Sequence, residues 1–295
     1  MNSAVQVVEI DLILRPREAL GMHSDRNSSF LERRGPHGKA RPVVAIIVAL
    51  VSAIAALPAA GSDSDWRALP LVTAGKVDTN WVFLGWGKFV VDDGMLRTDC
   101  DAKGLGLLVY KKEKLGNCQI RVVFKPKEVK SNSGVYVRIA DGILGEANRP
   151  GAVFVRDANG TPSKESTEKM QASAEREEGP WFAVHQGYEA QIAGDSTGAI
   201  YSLANSSGTG TKADEWRTMI ITLAGTKITV DLDGKRVSSF DSANPNVPER
   251  KQWHEPKREP KRPETGYLGL QTHDPGDIVW FKEISVRPLL ESKVK

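Results

Sequence analysis

The chain has 295 residues, 40% hydrophobic and 26% charged, enough to bury a sizeable core and in the balance of an ordinary globular protein. The first 60 residues hold 7 of the Lys and Arg and 5 of the Asp and Glu, leaving 33 and 32 for the remainder. That near-neutral remainder gives no electrostatic ground for a nucleic-acid partner, and two cysteines are too few for a disulfide scaffold.

In chain order the first feature is an apolar run from Val43 to Leu57, interrupted only by Ser52. Arg33, Arg34, Lys39 and Arg41 precede it, and Pro58-Ala59-Ala60-Gly61-Ser62 follows. A basic flank, an apolar stretch and small residues are the three parts of a secretory signal. The run is shorter than the ~20 residues of a spanning helix, and the chain before it is long for a signal. Two readings stay open, a start at Met22 or an uncleaved signal-anchor. Both expect residues 1–60 to be a signal or anchor region. Both also expect residues 61–295 to be an exported domain, periplasmic or extracellular, touching a membrane only through that anchor.

From Trp66 onward short alternating runs are broken by Gly, Asp and Asn. Phe89–Val91, Asp92-Asp93-Gly94 and Met95–Thr98 read as a hairpin. Strands are expected at Leu105–Tyr110, Gln119–Phe124, Val135–Ile139, Tyr188–Ile192 and Thr218–Leu223. Lys227–Leu232, Asp233-Gly234 and Arg236–Phe240 form a second hairpin, and Tyr267–Thr272 and Ile278–Val286 close the series. About ten short strands without helical periodicity predict an all-β sandwich of antiparallel sheets. Thr161–Glu178 has the composition for one short helix, and the proline-crowded Ser242–Glu264 is a loop. Neither is expected to add to the core, and the basic stretch Lys251–Arg262 reads as solvated.

Three strand phrases carry the chemistry: Asn132–Arg138, Gly187–Ile192 and Gly266–Asp274. Period-two alternation puts Tyr136 with Arg138, Glu189 with Gln191, and Gln271 with His273 on shared faces. A carboxylate, an imidazole, a guanidinium and two amides suit a sugar-binding concavity better than a solvated face. Glu189 reads as a general base or a ligand for substrate hydroxyls, against a structural partner for Arg138. Arg138 would bind a sugar oxygen, lock Glu189, or do both. Asn132-Ser133-Gly134 reads as a turn and bulge opening its strand. His185 and His254 fall in the segments that interrupt the strand series and are expected at the surface. Trp216 and Trp280 read as core, while Trp81, Trp181 and Trp253 are candidates for a stacking platform. Cys118 alternates with Ile120, Val122 and Phe124 and reads as a buried thiol, with pairing to Cys100 as the alternative. No strand carries the close acid pair of a retaining glycosidase, and no phosphate loop, serine elbow or Cys/His cluster is present.

In order and spacing the runs resemble the 3-keto-disaccharide hydrolase family. The matching pieces include Val90–Leu96, Leu107–Lys111, Cys118–Lys125, Asn132–Val135 with Arg138, and Gly187–Ile192. Further on they include Gly198–Tyr201, Glu215-Trp216, Asp233-Gly234, Gly266–His273 and Val279–Ile284. The resemblance spans roughly residues 70–290. It departs in a longer segment between Arg138 and Gly187, a longer loop before Gly266, and Asp274-Pro275-Gly276-Asp277 after the histidine. It implies a concanavalin A-like jelly roll of two curved antiparallel sheets, and cleavage of 3-keto-glycosides. A ketone at C3 acidifies the C2 proton, so one base, Glu189 or His273, would drive elimination at C1 before water adds back. Arg138 or a divalent cation held partly by Glu189 and His273 would stabilise the enolate, and Gln191 and Gln271 would bind the sugar. A non-catalytic carbohydrate-binding module is the rival reading, and a structural domain of an exported complex the third.

Overall fold

The computed structural model describes residues 65–289, apart from 209 and 245 and the side chains of residues 147 and 148. The expected signal or anchor lies outside the described residues. Fifteen strands follow one another: β1 Arg67–Ala68, β2 Val72–Thr73, β3 Lys76–Val77, β4 Trp81–Gly85, β5 Lys88–Asp92, β6 Met95–Asp99, β7 Gly106–Leu115 and β8 Cys118–Pro126. The series continues with β9 Asn132–Ile139, β10 Tyr188–Ala193, β11 Arg217–Ala224, β12 Lys227–Leu232, β13 Lys235–Asp241, β14 Gly266–Thr272 and β15 Val279–Pro288. All eleven strands expected from the sequence are present.

Thirteen of them build two antiparallel sheets, and β2 and β3 pair with each other as a separate two-stranded ribbon. The large sheet runs β13-β12-β11-β8-β15-β6-β5, with β1 added on β15, and the small sheet runs β10-β9-β14-β7-β4. Asp93-Gly94 and Asp233-Gly234 both lie at positive φ, the paired left-handed conformation of a tight hairpin turn. On β8, Cys118, Ile120, Val122 and Phe124 are buried while Gln119, Arg121, Val123 and Lys125 face outward. Inward residues of both sheets, among them Phe124, Phe281, Met219, Val135, Leu270 and Leu108, form the main core. The fold is an all-β jelly-roll sandwich.

A second core lies on the other face of the small sheet. Leu107, Val109, Tyr136 and Ile139 meet Ile143, Met170, Ala174, Trp181, Ala183 and Val184 from the segment after β9. That segment holds a 3-10 stretch (Asp141–Asn148) and two helices, α1 Lys164–Glu175 and α2 Pro180–Gln186. Ser163 caps α1 by accepting from Ser166 N, and Met170 and Ala174, four apart, bury one stripe. The insertion therefore does contribute to a core. The run Leu107–Tyr110 is buried at every position because its sheet is covered on both sides.

The proline-rich stretch before β14 has no strand or helix, but it is a packed strap, not a solvated loop. Arg262 is buried, donates to Gly187 O at 2.6 Å and lies over the Tyr188 ring. Arg258 donates to Ser202, Lys257 to Glu177, and Trp253 packs on Trp181 with ring centroids 5.3 Å apart. The long stems of these cations cover apolar surface while backbone carbonyls satisfy their donors.

Candidate functional site

The site forms on the outer face of the small sheet, toward its β10 edge. Register places Glu189 opposite Tyr136, Gln191 opposite Gly134, and Tyr136 opposite Gly269. Gln271 lies opposite Leu107 on the far side of β14 and shares this face. Tyr136 OH donates to Glu189 Oε2 at 2.7 Å and accepts from Gln271 Nε2 at 3.1 Å. Gln191 Nε2 donates to Asn132 Oδ1 at 3.0 Å. Glu189 Oε1, Gln191 Oε1 and Gln271 Oε1 are buried without a partner. Three acceptors on β10 and β14, the two strands that flank β9, thus lack donors, and buried acceptors are rarely left so.

Gly134 makes room for the carboxylate. A Cβ there would come within 2.8 Å of Glu189 Cδ and closer still to Oε1. The residue lies inside β9, paired across to Gln191, so Asn132-Ser133-Gly134 is regular strand and not a turn and bulge.

Burial raises the Glu189 pKa from an ordinary 4.5 to about 7, against the Tyr136 hydrogen bond and the nearby His273 charge, which both favour the anion. His273 follows the last residue of β14, past the end of this central strand, and its side chain is 30% exposed. Burial opposes its protonation, but the hydrogen bond from Nδ1 to Asp277 Oδ2 at 3.2 Å and the charges of Asp274, Asp277 and Glu189 outweigh that and raise its pKa. Asp277 also accepts from Asn132 N at 3.0 Å through Oδ1, tying the rim loop to β9.

The structure therefore brings Glu189, Gln191, Gln271 and His273 together, but not Arg138. Tyr267 pairs with Ile139 and Gly269 with Tyr136, so Val137 and Arg138 together oppose Leu268. This is a bulge, with Arg138 at φ 54, and a Cβ on Gly266 across from it would stand 2.7 Å from Arg138 Cα. Beyond the extra residue the parity inverts. Ile139 joins Tyr136 in the outer core, while Arg138 lies near Tyr188, Cys118 and Glu264. Its Nε and Nη2 are buried without partners. Period-two counting through a bulge misplaces every residue after it.

Other expectations need correcting. His185 is fully buried, accepts from Lys257 N at 3.1 Å through Nδ1, and burial pushes its pKa down to about 4. His254 is half-buried with Nδ1 at 2.8 Å from Tyr201 OH. Trp216 is 40% exposed because Arg217, Met219 and Ile221 take the inward positions of β11. Trp280 likewise faces out beside buried Phe281, its indole donating to Asp92. Trp81 and Trp181 are core residues, so neither offers a stacking face. Cys118 is a buried free thiol, and Cys100 is also unpaired. Tyr201 and Asp277 are site residues that sequence reading does not single out; it places Tyr136 on a shared face with Arg138 but gives it no role, and it expects His254 at the surface.

Among the described residues no three His, Cys, Asp or Glu side chains converge on a common point. Glu189 Oε2 is engaged by Tyr136 and His273 Nδ1 by Asp277. Neither residue is therefore assigned as a metal ligand.

Among solved structures, a candidate glycosyl hydrolase of Parabacteroides distasonis is 25% identical, with 68% of this chain and 90% of that chain covered and a TM-score of 0.46. A second from the same organism is 16% identical, covering 73% and 91%, with a TM-score of 0.46. A carbohydrate-binding module of Bacillus subtilis is 11% identical over 71% and 96%, with a TM-score of 0.39. No curated protein matches the sequence. The profile of the 3-keto-alpha-glucoside-1,2-lyase-like domain matches residues 65–287, both sheets and the whole of this site, and the chain belongs to that family.

Proposed function

We propose that the protein cleaves glycosides whose sugar carries a ketone at C3, with Glu189 as the base that removes the C2 proton. The observation that carries this reading is the state of Glu189. One oxygen is fixed by Tyr136, the other is unpartnered, and a pKa of about 7 makes the group a base near neutral pH. A lone carboxylate suffices because the ketone supplies the acidity. The electron pair from C2 delocalises onto the C3 oxygen, expulsion of the C1 substituent follows, and water adds back.

His273 takes the part first given to Arg138. Its raised pKa favours the imidazolium, a suitable counter-charge for an enolate oxygen. The unpartnered oxygens of Gln191 and Gln271 accept from sugar hydroxyls, which supply the donors these groups lack. The protein works outside the cytoplasm, a reading that rests on the pattern before residue 61 and that N-terminal sequencing of fractionated protein tests.

The test is product analysis with 3-keto-trehalose, 3-keto-sucrose and their non-oxidised parents. Turnover is expected of the keto sugars only, with a slower rate for substrate deuterated at C2 and at least a ~100-fold loss in Glu189→Gln, the low end for a general base. Ground-state affinity should change far less. Binding of the sugars with no turnover by the wild type would favour the lectin-like reading. Equal turnover of non-oxidised disaccharides would remove the role of the ketone.

A further inference from the structure

Glu189 has a second phenol beside it. β10 is the edge of the small sheet, and beyond it Ile200 forms an antiparallel bridge with Ala190. Tyr201 N donates to Glu189 O at 2.9 Å. With Ala190 opposite Ile200, Glu189 is opposite Tyr201, so the two side chains rise on the same face as cross-strand neighbours. The carboxylate therefore stands between Tyr136 on one side and Tyr201 on the other.

The two phenols are held differently. Tyr136 is buried and committed to both Glu189 and Gln271. Tyr201 is only half-buried, and its hydroxyl meets Nδ1 of His254 at 2.8 Å. His254 is carried by the strap, between Trp253 on Trp181 and Glu255 paired with Arg258, so it is fixed from both sides. A phenol beside the base, steered by an anchored imidazole, has no structural need that Tyr136 does not already meet.

We propose that Tyr201 is the acid that protonates the departing C1 oxygen, with His254 as the residue that positions its phenol. This rests on the elimination reading above. Glu189 takes the C2 proton, the electron pair left behind forms the C1=C2 bond, and the C1–O bond breaks with its electrons on oxygen. The Tyr201 hydroxyl gives that oxygen its proton. The tyrosinate, held by a hydrogen bond from His254 Nδ1–H, then recovers the proton now on its neighbour Glu189. The chain returns to its starting charge without an outside donor.

Electrostatics couple the two events. Burial, and then the negative charge of Glu189, hold the Tyr201 phenol above its ordinary range. Once Glu189 has taken the C2 proton that charge is gone, and the phenol becomes a stronger acid in the step that calls for one. Burial pushes the His254 pKa down, so the imidazole is neutral near pH 7 and free to carry its proton on Nδ1.

The experiment compares two 3-keto-glucosides, one releasing 4-nitrophenol, a good leaving group, and one releasing a simple alkyl alcohol. Tyr201→Phe should lose at least ~100-fold on the alkyl glycoside and be nearly unchanged on the nitrophenyl one, which needs no acid. It should also still exchange the C2 hydrogen with deuterated solvent. His254→Phe should show a weaker form of the same split, with activity returning in His254→Asn, whose amide nitrogen can replace Nδ1. Equal losses on both glycosides, no loss on either, or loss of C2 exchange in Tyr201→Phe would overturn the assignment. Failure of the parent reading looks different: Glu189→Gln would keep C2 exchange, or the wild type would release neither alcohol, and the acid would then have no step to serve.

Discussion

Glu189 is buried where a charge is costly, and the chain accepts that cost at one residue. The linkage gives it a sign. With the folded pKa raised to about 7 from 4.5, folded and unfolded chains are both protonated below pH 4.5 and no penalty exists. Between those values the unfolded chain ionises first, so stability falls as pH rises, and above pH 7 the penalty is full, on the order of 3 kcal/mol. Glu189→Gln should therefore match the wild type in denaturant stability at pH 4.5 and exceed it at pH 8. A constant difference across that range would show that the carboxyl is not held protonated. Gly134 makes a companion case. Its φ is not left-handed, so alanine strains no backbone, and the nearest obstruction is the Glu189 side chain. Gly134→Ala is expected to cut turnover of a 3-keto-glycoside by ~10-fold or more, because a 1 Å displacement of a catalytic group can cost ~100-fold. Circular dichroism should stay native, and full activity would mean that the carboxylate has room to move.

At the scale of the element, β9 decides what belongs to the site. Period-two counting along Asn132–Arg138 is right up to Val137 and fails at Arg138, because the bulge inserts one residue opposite Leu268. Nothing in the residue types announces it, since Val, Tyr, Val and Arg suit either face, and the signal lies across the sheet in Gly266. The hairpins at Asp93-Gly94 and Asp233-Gly234 were legible because their turn chemistry is local. Glu189 and Gln191 were legible because β10 is regular over all its pairs with β9. His254 was not, since a strap without periodicity gives no face to assign. The displaced Arg138 has a measurable consequence. A buried guanidinium with Nε and Nη2 unpartnered carries a desolvation cost that nothing offsets at those atoms, and an apolar side chain removes that cost. Arg138→Met should keep wild-type turnover and lose no stability in urea denaturation. A large loss of activity with the fold intact would return Arg138 to the site.

Across the whole molecule the small sheet is a partition between two cores of unequal kind. The inner one joins two full sheets, with Phe124, Phe281, Met219 and Leu270 entirely buried. The outer one is made by short helices, a 3-10 stretch and the strap, elements joined by side-chain contacts instead of a strand ladder. A layer held this way opens on its own, at lower free energy than the sandwich beneath it. Its composition concealed it from sequence reading, because α1 buries only Ser166, Met170, Ser173 and Ala174 among charged neighbours and has a weak apolar stripe. Met170 is the place to test it, since the side chain is fully buried and its sulfur accepts from the Trp181 indole at 3.3 Å. Met170→Ala removes that contact and leaves a cavity, which in a core typically costs ~2–5 kcal/mol. The loss should appear in hydrogen exchange as faster amides in α1, α2 and the strap, with β8, β11 and β12 as protected as in the wild type. Activity should fall with it, since the strap carries His254 and the layer borders Glu189. If all amides lost protection together, the two cores would be one cooperative unit and the rim could open only with global unfolding.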